Sequence, residues 1–466
     1  MEKKEDFLGT EPVGKLLWKL ALPTLTAQLI NMLYNIVDRI YIGHIPKVGA
    51  LALTGVGVCM PIIMIVSAFA ALVSSGGAPR ASIFMGKGDQ QSAEKTLGNC
   101  FTLQVIISAI LTAVLLIWNH DFLMAFGASE KTVNYGVDYM NIYALGTLFV
   151  QLTLGMNAFI TAQGFAKTGM FSVLIGAVAN IVLDPVFIFA LDMGVKGAAL
   201  ATVISQALSC LWVLCFLRGK KTVLKLRGRE MPLKAKIILP SLALGAATFV
   251  MQASESVIFV CFNSSLSRYG GDIAVGAMTI LLTVMQFAML PLMGIGQGAQ
   301  PIISYNYGAG NKKRVIKAFK LLLAVDLSYS TLLWLTVMIF PKAYAAMFTS
   351  DAALQEFTAP VLRIFTAVLF LFGIQMACQM AFTSIGNAKA SIVVAVVRKF
   401  GLLLPIIYLM PHIIPSNPTL AVYMAEPISD ALAVTFTAIL FFFQFRKAME
   451  EMPDRSLPKT SGHQNA

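Results

Sequence analysis

The sequence predicts an all-α polytopic membrane protein, twelve transmembrane helices in two pseudo-symmetric six-helix lobes, and three observations predict it. Of 466 residues 57% are hydrophobic and only 12% charged, too little polar surface to cover a water-soluble globule. Uncharged runs such as Val58 to Val73, Val105 to Trp118 and Ala431 to Phe443 reach, with their flanks, the roughly 20 apolar residues a bilayer demands. The chain also repeats itself. At an offset of 222 residues Pro79 meets Pro301, Gly86-Lys-Gly meets Gly308-Ala-Gly, Gly164 meets Gly386 and Lys167 meets Lys389. Upstream the offset is 217, pairing Leu22-Pro23 with Leu239-Pro240 and Asp38 with Glu255, so a five-residue insertion falls near Ser267 to Asp272.

The expected spans are 15–45, 50–79, 94–118, 133–161, 168–191 and 197–217 in the first half. In the second half they are 236–267, 274–305, 317–341, 356–384, 389–412 and 419–445. Six spans per half return the chain to its starting side, so the repeat is parallel, with an axis along the membrane normal and a cleft between the lobes. The division is 1–217 for the first lobe, 218–236 for a basic linker, 237–446 for the second lobe and 447–466 for a polar tail.

The first span follows a short charged start without a small-residue cleavage pattern, so no removable signal peptide is expected. Within it Gln28, Asn31, Asn35 and Asp38 recur at helical spacing and form a polar stripe that must face protein or water. The fifth span carries Asn180 and Asp184 one turn apart, followed by Pro185, which frees a carbonyl and invites a bend. Asp184 lies 17 residues past Lys167, roughly 25 Å along a helix. Asp38 is similarly far from Lys15, so the two carboxylates belong to one layer. Two acids that close resist ionising together and call for a proton or a screening cation. The structural alternative is an acid hydrogen-bonded within the bundle, with Asp38 paired to Arg39. Intramembrane ionisable groups are costly enough that function is the default reading.

In the seventh span Thr248, Gln252 and Glu255 stand at the repeat positions of Asn31, Asn35 and Asp38. The tenth span offers Gln375 and Gln379 but no carboxylate, and the last two spans hold Arg398, Glu426 and Asp430. Glu255 either pairs with Arg398 or contacts substrate. Met278, Met285, Met289 and Met293 partly follow helical spacing along the eighth span. They serve either as packing or as an adaptable pocket wall.

The net charge of +12 sorts by loop rather than forming a nucleic-acid footprint. Basic residues follow even-numbered spans, most densely from Arg218 to Lys236, which places both termini in the cytoplasm of a multi-pass protein of the inner (plasma) membrane. The linker reads as a positive-inside anchor, with lipid headgroups as a further contact. The six cysteines lack metal-ligand spacing and read as small buried residues. Gly86-Lys-Gly-Asp and Gly308-Ala-Gly-Asn lack P-loop spacing and read as turns. No metal site, cofactor or catalytic motif is expected, and a membrane-embedded enzyme is the weakest alternative because the best carboxylates lie inside spans.

Three stretches carry a family resemblance: Asn31-Met-Leu-Tyr-Asn-Ile-Val-Asp38, Pro301-Ile-Ile-Ser-Tyr-Asn-Tyr-Gly-Ala-Gly-Asn311 and Ala425-Glu-Pro-Ile-Ser-Asp430. With the doubled six-span plan, the chain resembles the multidrug and toxic compound extrusion (MATE) family, and within it the prokaryotic branch related to the DNA-damage-inducible F proteins. The resemblance implies a V-shaped pair of lobes and export of cationic, amphipathic drugs in exchange for H⁺ or Na⁺. It implies an ion site at Asp38, Asn180 and Asp184, with Tyr34, Tyr139, Asn157 and Thr202 around it. A second branch keeps a cation site in the other lobe. Glu255 matches its first acid and the second is absent. The substrate pathway is expected along Asn31, Asn35, Gln252, Glu255, Met289, Met293 and Arg398, in a monomer surrounded by membrane lipids. A lipid-linked oligosaccharide flippase of the wider superfamily is the alternative, and it would call for several cleft arginines to meet a pyrophosphate. Arg398 is nearly alone in that role.

Overall fold

Lipid offers backbone groups no hydrogen-bond partner, so each apolar run must satisfy its own as a helix. In the computed structural model, which describes residues 7–452, the first half supplies α1 (Val13–Gly43), α2 (Gly49–Gly86), α3 (Gln90–Ala125), α4 (Val133–Ala162), α5 (Ala166–Ala190) and α6 (Gly194–Arg218). The second half begins with a hydrogen-bonded run of 74 residues, Ala235–Gly308, that breaks at Gly271 into α7 (235–270) and α8 (272–308). Gly271 adopts φ 64°, a conformation glycine tolerates without a side-chain penalty, and it lies in the stretch where the two halves change register. Next come α9 (Lys312–Ile339), a short helix Pro341–Phe348, and α10, whose segments Ala352–Phe365 and Leu369–Ser384 meet at 46°. The chain closes with α11 (Ala388–Ile413) and α12 (Pro418–Glu451), giving twelve spanning units. Most of the expected tail lies outside the described residues.

The bend in α10 was not expected from sequence, where 356–384 reads as one apolar run. Its freed carbonyls find donors on α9: Trp334 Nε1 donates to Ala367 O at 3.0 Å and Ser330 Oγ to Phe370 O at 2.9 Å. Pro291 in α8 likewise leaves Phe287 O open, and Tyr329 Oη donates to it at 2.7 Å. The two glycine motifs are turns. Gly88 (φ 77°) and Gly310 (φ 76°) terminate α2 and α8, and Asp89 and Asn311 then cap α3 and α9 by accepting from Ser92 N (3.0 Å) and Arg314 N (3.4 Å). Four of the six cysteines are buried, whereas Cys215 is exposed on α6 and Cys261 half-exposed on α7.

One apolar core lies within residues 42–199 and another within 258–425. A third joins them, packing Leu16, Leu17 and Leu20 of α1 against Ile295, Ile302 and Ile303 of α8. Glycines let backbones touch along this seam. A Cβ at Gly76 would strike Ser241 O, at Gly245 Leu72 O, at Gly86 Tyr305 O and at Gly308 Ile83 O, while Gly298 packs on Ala21. Thr24 Oγ1 donates to Gly294 O at 2.6 Å and Gln28 Nε2 to Gln297 Oε1 at 3.2 Å. Large side chains on the outer surface, such as Ile117 and Leu145 (each 65% exposed), face the direction lipid would occupy.

The chain start is tied to the same seam. Arg314 donates to Leu8 O (3.0 Å), Glu11 O (2.7 Å) and Asn306 Oδ1 (2.9 Å), and Asn306 Nδ2 also reaches Leu8 O at 2.9 Å. Arg314→Ala leaves these acceptors without their charged donor, an expected loss of about 2–4 kcal/mol visible as a lower melting temperature in detergent. Arg314→Lys, with a point charge in place of a planar fork, is expected to recover only part of it.

Candidate functional site

The polar stripe of α1 begins inside the seam and leaves it. Gln28 is tied to Gln297, whereas Asn31, Tyr34 and Asp38 are only partly buried and turn toward α5. Asn35 is exposed and its Nδ2 donates back to Asn31 O at 2.7 Å. Opposite them Asn180 (2% exposed) and Asp184 (0%) sit one turn apart on α5, with Asn180 Nδ2 3.3 Å from Asp184 Oδ1 and 3.5 Å from Thr202 Oγ1 on α6. Pro185 follows, and the next turn, Val186–Ala190, widens into a π-helix. Proline lacks the N–H that would continue the ladder, and π turns of this kind are frequent at functional sites.

Asp38 and Asp184 lie close enough to interact electrostatically. Arg39 is exposed and forms no ion pair with Asp38 among the described residues, so of the structural alternative only the hydrogen bond within the bundle, Asn180 to Asp184, is present. Tyr139, stacked on Tyr143 with centroids 6.2 Å apart, reaches Thr202. Asp38 Oδ1, Asp184 Oδ2 and Asn180 Oδ1 are buried without a donor. Oxygens that only accept, gathered out of water, suit a proton shared between the carboxylates or a cation that takes oxygen ligands such as Na⁺. A cavity of about 40 Å³ opens beside them, lined by Asn31, Tyr34, Asn157, Asn180 and Thr202, large enough for one or a few waters. Asn157 donates to Gly169 O at 3.3 Å and keeps its own Oδ1 unpaired.

The second lobe differs from expectation. Glu255 pairs with Lys399, not Arg398, at Nζ–Oε1 2.6 Å. Arg398 instead grips Asp430 through Nη2 (3.0 Å) and Nε (3.1 Å), its guanidinium 4.8 Å from the Phe372 ring centroid. Successive side chains on a helix point in different directions, so of two adjacent cations one meets α7 and the other α12. Both sit in the π-helical stretch Val397–Leu403. Arg398 is thus buried and ion-paired, with its Nη1 left without a partner. Gln252 is partly buried on α7. Met289 and Met293 pack against the second-lobe core, while Met278 and Met285 are fully inside it. Gln379 donates to Ser391 Oγ at 2.7 Å, and the Oε1 atoms of both Gln375 and Gln379 are buried and unpaired.

Among the described residues sequence reasoning passed over three buried charges: Glu94, which pairs with Arg227 at 3.3 Å, Lys399 and Asp326. Lys399 was signalled by the doublet Arg398-Lys399 inside an apolar run. Asp326, on α9, is fully buried with neither carboxylate oxygen hydrogen-bonded. Its repeat counterpart, Gln104, donates to Ala70 O at 3.0 Å.

The MatE family profile matches the chain twice, over residues 23–186 and 247–409. Among curated proteins the chain is similar to the multidrug export protein MepA of Staphylococcus haemolyticus, 24% identical over 401 residues covering 85% of this chain and 87% of that protein. It is similar to MepA of Staphylococcus aureus at 24% over 409 residues, covering 87% and 88%. Among solved structures it superposes on a MATE protein in the bent conformation with TM-score 0.89 at 21% identity, covering 96% of this chain and 98% of that one. An outward-facing multidrug resistance MATE family transporter of the MOP superfamily gives 0.88 at 22%, covering 96% and 98%. A MOP superfamily transporter from Pyrococcus furiosus gives 0.88 at 21%, covering 96% and 99%. Both halves answer to one profile, the α-helical fold superposes over nearly its whole length, and the chain belongs to the MatE family, whose members are transporters and not enzymes.

Proposed function

We propose that the protein is a multidrug exporter that exchanges cationic, amphipathic compounds for H⁺ or Na⁺ by alternating access. One observation carries the ion half of this reading: Asp38 and Asp184 face each other at the meeting of α1, α5 and α6, with acceptor oxygens that lack donors. The Staphylococcus relatives, named for multidrug export, support the substrate half. Basic loops mark the cytoplasmic side and place both termini there. The glycine seam then closes the cytoplasmic end and the carboxylate pair lies in the outer half. The protein works as a monomer in the cell membrane, among lipids.

The cycle follows from the residues. With the cytoplasmic seam closed, an ion enters from outside and is shared between Asp38 and Asp184, cancelling one of their two charges, drawing α1 and α5 together and favouring release of drug. The lobes then rock, the ion leaves inward, and the recharged pair favours the drug-loaded form. Coupling exists only because ion and drug prefer different arrangements. In proteoliposomes loaded with a cationic dye, a pH or Na⁺ gradient imposed separately is expected to drive efflux in one case and not in the other. Efflux indifferent to both gradients overturns the reading.

A further inference from the structure

The two lobes solve one electrostatic problem in opposite ways. In the first, three helices meet around acids that form no ion pair among the described residues: Asp38 on α1, Asp184 and Asn180 on α5, Thr202 on α6. The repeat carries these helices onto α7, α11 and α12. Asp38 maps onto Glu255, but Asp184, Asn180 and Thr202 map onto Ile406, Leu402 and Met424, so the second acid and the neutral ligands are gone. Conversely, Gly176 and Ala177, which line the first-lobe cavity, map onto Arg398 and Lys399. Where the first lobe leaves a cavity beside Asn31, Tyr34 and Asn180, one turn from its acids, the other inserts two cations.

Lys399 fills that space closely. Its side chain is 4% exposed, and its ammonium sits 2.6 Å from Glu255, whose own side chain remains 37% exposed. Arg398 is committed to Asp430 and to the Phe372 face. The charged groups around Glu255 are Arg398 and Lys399 on α11 and Glu426 and Asp430 on α12. Among the described residues only Lys399 hydrogen-bonds Glu255. An ammonium and a bound monovalent cation neutralise a carboxylate alike, but a tethered one cannot leave.

We propose that Lys399 is a tethered counter-ion occupying a latent monovalent-cation site at Glu255, so that the α7–α11–α12 joint is permanently closed while the α1–α5–α6 joint is opened and closed by a mobile ion. The contrast between joints rests on the ion reading of Asp38 and Asp184. The latent site itself does not. Removing the tether exposes Glu255 to the cation it now excludes.

The test counts cations bound by the detergent-purified full chain, using radiolabelled Na⁺ alone and, separately, proton uptake after a pH jump. Lys399→Met is expected to bind one more Na⁺ or proton per chain than the parent. Adding Glu255→Gln returns the count to the parental value, and Lys399→Arg never departs from it. Asp38→Asn with Asp184→Asn is expected to remove the first-lobe cation and leave the gained one. If that pair changes nothing while Lys399→Met still gains a cation, the first-lobe reading fails and this one stands. Should Lys399→Met be unstable at neutral pH without Na⁺, its melting temperature is expected to rise with added Na⁺ or acid, a response absent from the double variant. A parental count in Lys399→Met, a gain that survives Glu255→Gln, or an instability that neither Na⁺ nor acid relieves overturns the proposal.

Discussion

Asp38→Asn and Asp184→Asn are each expected to reduce gradient-driven dye efflux to the leak of protein-free vesicles while leaving the protein folded. An asparagine has the shape of a neutral aspartic acid, and its amide can donate to the carboxylate that remains, so either variant resembles the ion-loaded site. Asn180 and Thr202 stay in place to hold it. The melting temperature is therefore expected to move by no more than a few degrees, as for a change costing about 1 kcal/mol. What is lost is the difference between loaded and empty states. An ion that no longer distinguishes two conformations shifts nothing between them, however steep its gradient. The same variants are expected to lose the cation count that the parent shows, and the dye to dissociate faster because the drug-loaded arrangement needs the recharged pair. Full gradient-driven efflux in both variants removes the basis for placing ion coupling in the first lobe.

That pair was legible before any coordinates because its signal is local. Asn31, Asn35 and Asp38 share a face by spacing alone, and Asn180 and Asp184 do the same. Apolar run lengths likewise fixed twelve spans, and the 222-residue offset showed again in paired positive-φ glycines, Gly88 with Gly310 and Gly164 with Gly386. The remainder depended on contacts between distant residues. The bend of α10 is sustained by Trp334 and Ser330, which lie on another helix and leave no mark on 356–384 itself. Whether Glu255 meets Arg398 or Lys399 is decided by the rotation of α11 about its axis, which an uninterrupted apolar run does not report. Asp326 stood unremarked because the polar residues at helical spacing from it, Tyr329 and Ser330, bring neither a charge nor an amide to its face. The seam glycines belong to the same class. Their meaning lies in the opposing backbone, and sequence alone presents them as ordinary small residues in apolar spans.

The seam carries the second large expected effect. A Cβ at Gly245 collides with the Leu72 carbonyl and one at Gly308 with that of Ile83, and the reciprocal positions Gly76 and Gly86 collide with Ser241 and Tyr305 carbonyls. These neighbours are helix backbone, which cannot rotate aside as a side chain would. Overpacking costs about 1–3 kcal/mol even where side chains can adjust, so valine at either position is expected to force the lobes apart at this end. A few kcal/mol is enough to reverse a two-state preference, so the closed seam becomes a minor state and efflux stops although each lobe keeps its own core. Ser82 reports the event. It is 0% exposed on α2 with its Oγ 3.5 Å from Pro301 O across the seam. In a background without the exposed or half-exposed Cys215 and Cys261, Ser82→Cys is expected to resist a membrane-permeant maleimide in the parent and to react at least about 10-fold faster with Gly308→Val, the ratio for a shift of about 1.4 kcal/mol. Gly57, whose added Cβ meets nothing within 4 Å, provides the control, and Gly57→Val is expected to leave both labelling and efflux unchanged. Protected Ser82→Cys together with normal efflux in Gly308→Val would show that the seam yields without opening, and that lobe movement does not pass through these glycine contacts.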